Sequence, residues 1–99
     1  MNQIHHFLNG SIVEGRSERY APVFNPATGE QSTQVALATA DETLEAVRLA
    51  HDAFPAWSRI SPLKRSRILF KFKALVEAHT DELAAMISRE HGKVFSDAK

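Results

Sequence analysis

The run Phe24-Asn25-Pro26-Ala27-Thr28-Gly29-Glu30 constrains the fold of this chain more than any other stretch. Val23 and Phe24 can close one strand, while Val35, Ala36 and Leu37 belong to another. Between them stand two chain-reversing pairs, Asn25-Pro26 and Thr28-Gly29. Pro26 presets its own φ and drives Asn25 out of the helical region, and Gly29 can take the positive φ of a tight turn. This predicts a hairpin, and the residues beyond it carry the period and the caps of helices.

Composition limits the rest. Ninety-nine residues with 43% hydrophobic content suffice for one modest core and one domain. Twelve basic and twelve acidic residues balance, so the chain as a whole carries no charge argument for nucleic acid or an anionic membrane. There is no cysteine, which excludes disulfides, thiolate metal sites and a cysteine nucleophile from this polypeptide, and fits a reducing compartment. Met1-Asn2-Gln3-Ile4-His5-His6 has neither the charged start and apolar run of a secretory signal nor an Arg-rich presequence. The apolar runs are too short to span a bilayer, so a soluble, cytoplasmic protein is expected.

Along the chain, Phe7-Leu8-Asn9-Gly10-Ser11-Ile12-Val13 predicts two short strands reversing at Asn9-Gly10. A polar stretch from Glu14 to Glu18 leads to a strand over Tyr20 to Phe24, and Pro22 inside it demands an edge position. A strand over Gln34 to Ala38 completes a small, mostly antiparallel β unit, residues 1–38. Residues 39–99 form a helical unit. Thr39 and Glu42 make a capping box ahead of Leu44, Val47, Ala50 and Phe54, and Pro55 is expected to end that helix. Ser61 as N-cap and Pro62 at the first helical position start the second, striped by Ile68, Leu69, Phe72, Leu75 and Val76. Thr80, Asp81 and Glu82 start a third, expected to be buried along Leu83, Met86 and Ile87, with Gly92 at its C′ position. Ser96-Asp97-Ala98-Lys99 has the form of an N-cap and first turn of a fourth helix, too short to stand alone. The fold class is therefore α+β, with N-terminal β-hairpins followed by three amphipathic helices.

Residues that carry chemistry are few. His5, His6, His51, His79 and His91 show no i, i+4 pair that would aim two imidazoles at one metal. His5 and His6 are expected to be exposed near a disordered terminus, and His79 and His91 to meet free carbonyls at helix C-termini. No serine has a G-x-S-x-G elbow, and Gly10, Gly15, Gly29 and Gly92 are too scattered for a dinucleotide or phosphate loop. Glu90 is a lone carboxylate at a helix end, expected to be solvated rather than catalytic. Arg59, Lys64, Arg65, Arg67, Lys71 and Lys73 form the one local excess of charge. Lys64, Arg67 and Lys71 share a helical face. That face suits phosphate contact with a nucleic acid or coenzyme A, but also a solvated face paired with carboxylates such as Glu42, Glu45 or those of missing parts of the chain, the commoner case. The expected sites are none: no catalytic, cofactor-binding or metal-ligating residue.

Taken together, these residues resemble the N-terminus of the aldehyde dehydrogenase superfamily over essentially the whole chain. Phe7-Leu8-Asn9-Gly10 is similar to that family's first strand and turn, Phe24 to Glu30 to its hairpin motif, and Ala53-Phe54-Pro55-Ala56-Trp57 to the end of its first long helix. The runs Pro62 to Phe72 and Ile87 to Lys93 most resemble the CoA-acylating methylmalonate-semialdehyde dehydrogenases. The resemblance implies an N-terminal part of an α/β fold. Its parent enzyme would attack an aldehyde with a cysteine, pass hydride to NAD and hand the acyl group to coenzyme A, with loss of carbon dioxide giving propionyl-CoA or acetyl-CoA. That parent would be a homo-oligomer. None of the family's catalytic or cofactor residues maps onto these positions, so residues 1–99 alone are expected to be inactive, with the missing remainder of the enzyme as their partner. Two other readings stay open: a stand-alone module that pairs its apolar helix faces, and a nucleic-acid binder using residues 59–73.

Overall fold

A computed structural model describes residues 2–99. The chain divides into two compact units, one formed by the residues up to Phe24 together with Gln31–Arg59, the other by Asn25–Glu30 and Ile60–Lys99.

In the first unit, β1 (Gln3–Ile4), β5 (Gln31–Ala36) and β4 (Tyr20–Phe24) make a sheet in the order β1-β5-β4, and β2 (His6–Leu8) pairs with β3 (Ser11–Val13) in a separate hairpin. The hairpin reverses where expected, with Asn9 at φ 51° and Gly10 at φ 82°, the left-handed pair of a tight two-residue turn. Pro22 lies in β4 at the sheet edge, where its missing N–H breaks no ladder. β5 begins at Gln31 rather than Gln34. The turn ahead of it is closed by Asn25 N–H donating to the Glu30 carbonyl at 2.8 Å and Gly29 N–H to the Asn25 carbonyl at 2.8 Å, so pairing starts at once, Phe24 against Gln31. The register shifts between Val23 and Phe24, and the Ser32 hydroxyl donates to the Val23 carbonyl there at 3.1 Å. β1 was not expected. It pairs parallel to β5, Gln3 beside Gln34 and Ile4 beside Val35, and two residues are too few to show a period.

The long helix α1 (Ala40–Arg59) completes this unit and runs through Pro55. Proline removes one donation, to the carbonyl of His51, whose side chain is 85% exposed, so water can meet the orphaned oxygen. The expected stop at Pro55 is therefore corrected to Arg59. One face of α1 meets the hairpin: Ala46, Leu49, Ala50 and Ala53 line a cavity of about 280 Å³ with Phe7, Leu8 and Asn9.

In the second unit, α2 (Pro62–Ala78) is capped as expected, the Ser61 hydroxyl accepting from Lys64 N–H. α3 (Thr80–His91) ends at Gly92, whose φ of 78° is the left-handed conformation of a helix C-cap. The short α4 (Phe95–Ala98) begins one residue before Ser96 and has no side-chain cap. Lys99 holds that turn, its Nζ 2.7 Å from Asp81 Oδ1 and 4.9 Å from the centre of the Phe95 ring. Pro26, from the β4–β5 turn, packs at the end of α3: a Cβ built on Gly92 would lie 3.3 Å from Pro26 Cγ.

Burial is sparse. Among the described residues only Ala36, Ala84 and Glu42 are buried, and no large side chain is fully enclosed. Leu83, Met86 and Ile87, expected inside, are exposed, and α3 buries Ala84 instead. Apolar spacing locates the stripe but not what covers it.

Candidate functional site

The one enclosed polar cluster among the described residues lies in the first unit, around Glu42, which is only 5% exposed. The predicted capping box is formed: Glu42 N–H donates to Thr39 Oγ1 at 3.0 Å, and Thr39 N–H donates back to Glu42 Oε1 at 3.1 Å. The second carboxylate oxygen reaches outside the helix. Glu42 Oε2 accepts from Arg16 N–H at 3.1 Å and lies 3.5 Å from His6 Nε2. These contacts, led by the Thr39 N–H, hold the Glu42 carboxyl below its ordinary value despite its burial. A close backbone approach makes the cluster possible: a Cβ on Gly15 would sit 2.9 Å from Ala36 Cβ and 3.3 Å from His6 Nε2. Gly15 N–H also donates to His5 Nδ1 at 3.5 Å, and the His5 ring stands edge-on to Tyr20. His5 and His6 are thus part-buried and engaged, which corrects the expected exposed, disordered terminus; strand pairing by β1 and β2 ties them down.

Chemically, this cluster ties a helix N-terminus to a loop and a strand. A cavity of about 360 Å³ beside it is lined by Arg16, Glu42 and Glu45 together with Asn9, Ser11 and the apolar Leu8, Val13 and Leu49. Two carboxylates repel a pyrophosphate, and the four glycines stand apart at Gly10, Gly15, Gly29 and Gly92. The lining of this cavity therefore does not fit the phosphates of NAD or coenzyme A, and the chain has no thiol to bear an acyl group.

The remaining histidines are scattered. His51 Nδ1 lies 3.6 Å from its neighbour Asp52, and His91 closes α3. His79 caps α2 through its backbone N–H, while its Nδ1 sits 3.0 Å from Glu82 Oε2, so the imidazole meets a carboxylate of the next helix rather than the free carbonyls expected. Among the described residues no three His, Cys, Asp or Glu side chains gather as a metal site. Glu90 is exposed. On the basic helix Lys73 pairs with Glu77 at 2.7 Å. Glu42 and Glu45, two of the partners expected for the basic residues, are taken by other groups, Glu45 by Arg48 at 2.7 Å. No helix is long and apolar enough to cross a membrane among the described residues.

A second feature is an apolar groove. In the second unit Phe72, Leu75 and Val76 of α2 and Leu83 and Met86 of α3 line an open groove of about 420 Å³ with His79 and Glu82 at its rim. Neither this surface nor the role of Glu42 as a link between elements is evident from residue types that carry chemistry. The Thr39-x-x-Glu42 spacing is the available signal for the second.

The model of the aldehyde dehydrogenase family matches residues 12–99. The crystal structure of methylmalonate-semialdehyde dehydrogenase from Oceanimonas doudoroffii is 45% identical with a TM-score of 0.92, over 99% of this chain and 20% of that one. A Sinorhizobium meliloti 1021 structure complexed with NAD, assigned to the same enzyme class, is 45% identical with a TM-score of 0.90 at the same coverage. Malonate-semialdehyde dehydrogenase of Pseudomonas aeruginosa is 42% identical over 98 residues, which is 99% of this chain and 20% of that protein. The chain thus spans about a fifth of the length of these relatives. With its hairpin, its capped helices and this match over most of its length, the chain belongs to the aldehyde dehydrogenase family.

Proposed function

We propose that residues 1–99 are the N-terminal segment of a CoA-acylating methylmalonate-semialdehyde dehydrogenase, a cytoplasmic homo-oligomer that converts methylmalonate or malonate semialdehyde to propionyl-CoA or acetyl-CoA with NAD as hydride acceptor. Within it this segment is scaffold. It contributes packing surface and carries no catalytic, cofactor or metal residue of its own. The observation that supports this reading most is the 45% identity to the Oceanimonas doudoroffii enzyme over 99% of this chain, joined to a cluster at Glu42 whose groups all serve the fold. The test is a chimera in which this chain replaces the matched residues of that enzyme. Aldehyde- and CoA-dependent NADH formation should persist in the chimera. A folded chimera that binds NAD but has lost that activity would overturn the assignment.

A further inference from the structure

We propose that His5, His6 and Glu42 form a pH-operated latch on the loop at Gly15 and Arg16, held by the neutral imidazole of His5 in mild base and by the imidazolium of His6 against Glu42 in mild acid.

Two consecutive amides of that loop meet two different kinds of partner. Gly15 N–H donates to His5 Nδ1 at 3.5 Å, and Arg16 N–H donates to Glu42 Oε2 at 3.1 Å. The same Glu42 oxygen lies 3.5 Å from His6 Nε2, a buried atom with no hydrogen-bond partner among the described residues. Gly15 lets the ring come this close, since a Cβ there would stand 3.3 Å from His6 Nε2. The two histidines therefore answer a proton in opposite ways. An imidazole nitrogen accepts only while it carries no proton, so protonating His5 puts a donor opposite the Gly15 N–H and breaks that contact. Protonating His6 does the reverse. Its Nε2–H then faces a carboxylate that is only 5% exposed, and a small shift of the ring makes a charge-assisted bond. That bond pins the oxygen on which the Arg16 N–H rests.

The groups around the two rings fix the pH window. Tyr20 of β4 stands edge-on to His5, while Glu42 and Glu45 of α1 line the adjoining cavity with Arg16. Both carboxyls are held below their ordinary value of 4.5, Glu42 chiefly by the Thr39 N–H and Glu45 chiefly by Arg48, so both are charged above it. Histidine is the side chain that changes charge between about pH 8 and about pH 5. The His5 contact needs the neutral ring, so it is present at the upper end of that interval and lost as pH falls across it. The His6 pair needs the charged ring, so it forms as pH falls and lasts until Glu42 itself takes a proton below 4.5. Glu42 stands in the first turn of α1 and His6 begins β2, so the acid state adds a direct tie between helix and hairpin.

The experiment follows hydrogen exchange at the Gly15 and Arg16 amides by mass spectrometry with residue-level fragmentation, in the 99-residue chain at about pH 7.5 and about pH 5.5. Rates are expressed as protection factors, which remove the intrinsic pH dependence of exchange. On going to the lower pH, protection of Gly15 should fall by about threefold or more and that of Arg16 should rise by about threefold or more. Two variants keep a hydrogen-bonding atom in place without a titrating ring: His5→Asn offers an amide oxygen for Nδ1, and His6→Gln an amide N–H for Nε2. His5→Asn should flatten the Gly15 response alone, and His6→Gln the Arg16 response alone. Protection that is flat at both amides, or moves the same way at both, or responds in the variants as in the wild type, would overturn the proposal. If the isolated chain leaves both amides unprotected, the same reading is made in the chimera, and amides unprotected there as well also overturn it.

Discussion

At Glu42 a single side chain joins the backbone of Thr39 to that of Arg16, and its chemistry yields a prediction with a definite sign. Its carboxyl is held below the ordinary value of 4.5, first by the Thr39 N–H and then by the Arg16 N–H and the nearby His6. The unfolded chain therefore binds this proton more readily than the folded one, so the contribution is present above that value and is lost as pH falls through the folded one. The difference in melting temperature between the wild type and Glu42→Gln should shrink as pH falls below about 4.5. A difference that stays constant over that range would remove Glu42 from this role. Gly15 is the second residue on which the cluster depends. Ala36 Cβ, 2.9 Å from the position of a new methyl, belongs to a strand and cannot swing away. Gly15→Ala should therefore destabilise by about 1–3 kcal/mol, the usual cost of overpacking. Denaturant titration in the chimera, where the fold is complete, measures it; an effect below about half a kcal/mol would mean that the loop moves freely.

At the scale of elements, local chemistry is legible in the sequence and its surroundings are not. Asn9-Gly10, the Asn25 to Glu30 turn, Thr39 with Glu42, Ser61-Pro62 and Gly92 all act where their backbone preferences put them, because each needs only its neighbours. Expectation and structure part where a second element decides. β1 exists through pairing with β5, α1 survives Pro55 because its solvent side tolerates one lost bond, and the stripe of Leu83, Met86 and Ile87 is only partly covered. The candidate site divides in the same way: the capping box can be read from spacing, but the reach of Glu42 to Arg16 and His6 spans long sequence separations. The basic face of α2 belongs to this scale too. With Lys73 already paired with Glu77, the three cations of this face, Lys64, Arg67 and Lys71, should bind oligonucleotides weakly, with affinity vanishing by physiological salt. Submicromolar binding at that salt, lost on reversing the three charges, would revive the nucleic-acid reading.

For the whole molecule, the decisive feature is how little the chain buries. Phe7, Ile12, Phe70 and Phe72 are all more than 60% exposed, and each such side chain forfeits roughly 1.5–3 kcal/mol relative to full burial. A domain of this size begins with only a small margin of stability. Function belongs to this scale as well: with no thiol in the chain, purified 1–99 should give no aldehyde- and CoA-dependent NADH formation above the blank. Turnover that survives repurification and tracks the protein would contradict this. The central claim, that these helices are faces awaiting the rest of a family fold, is tested most directly by scanning calorimetry of isolated 1–99 at several concentrations. The account predicts a broad, weak transition, or one whose midpoint climbs with concentration as apolar faces pair. A sharp transition independent of concentration, with an enthalpy near the roughly 60–80 kcal/mol of a complete domain of about 100 residues, would contradict it.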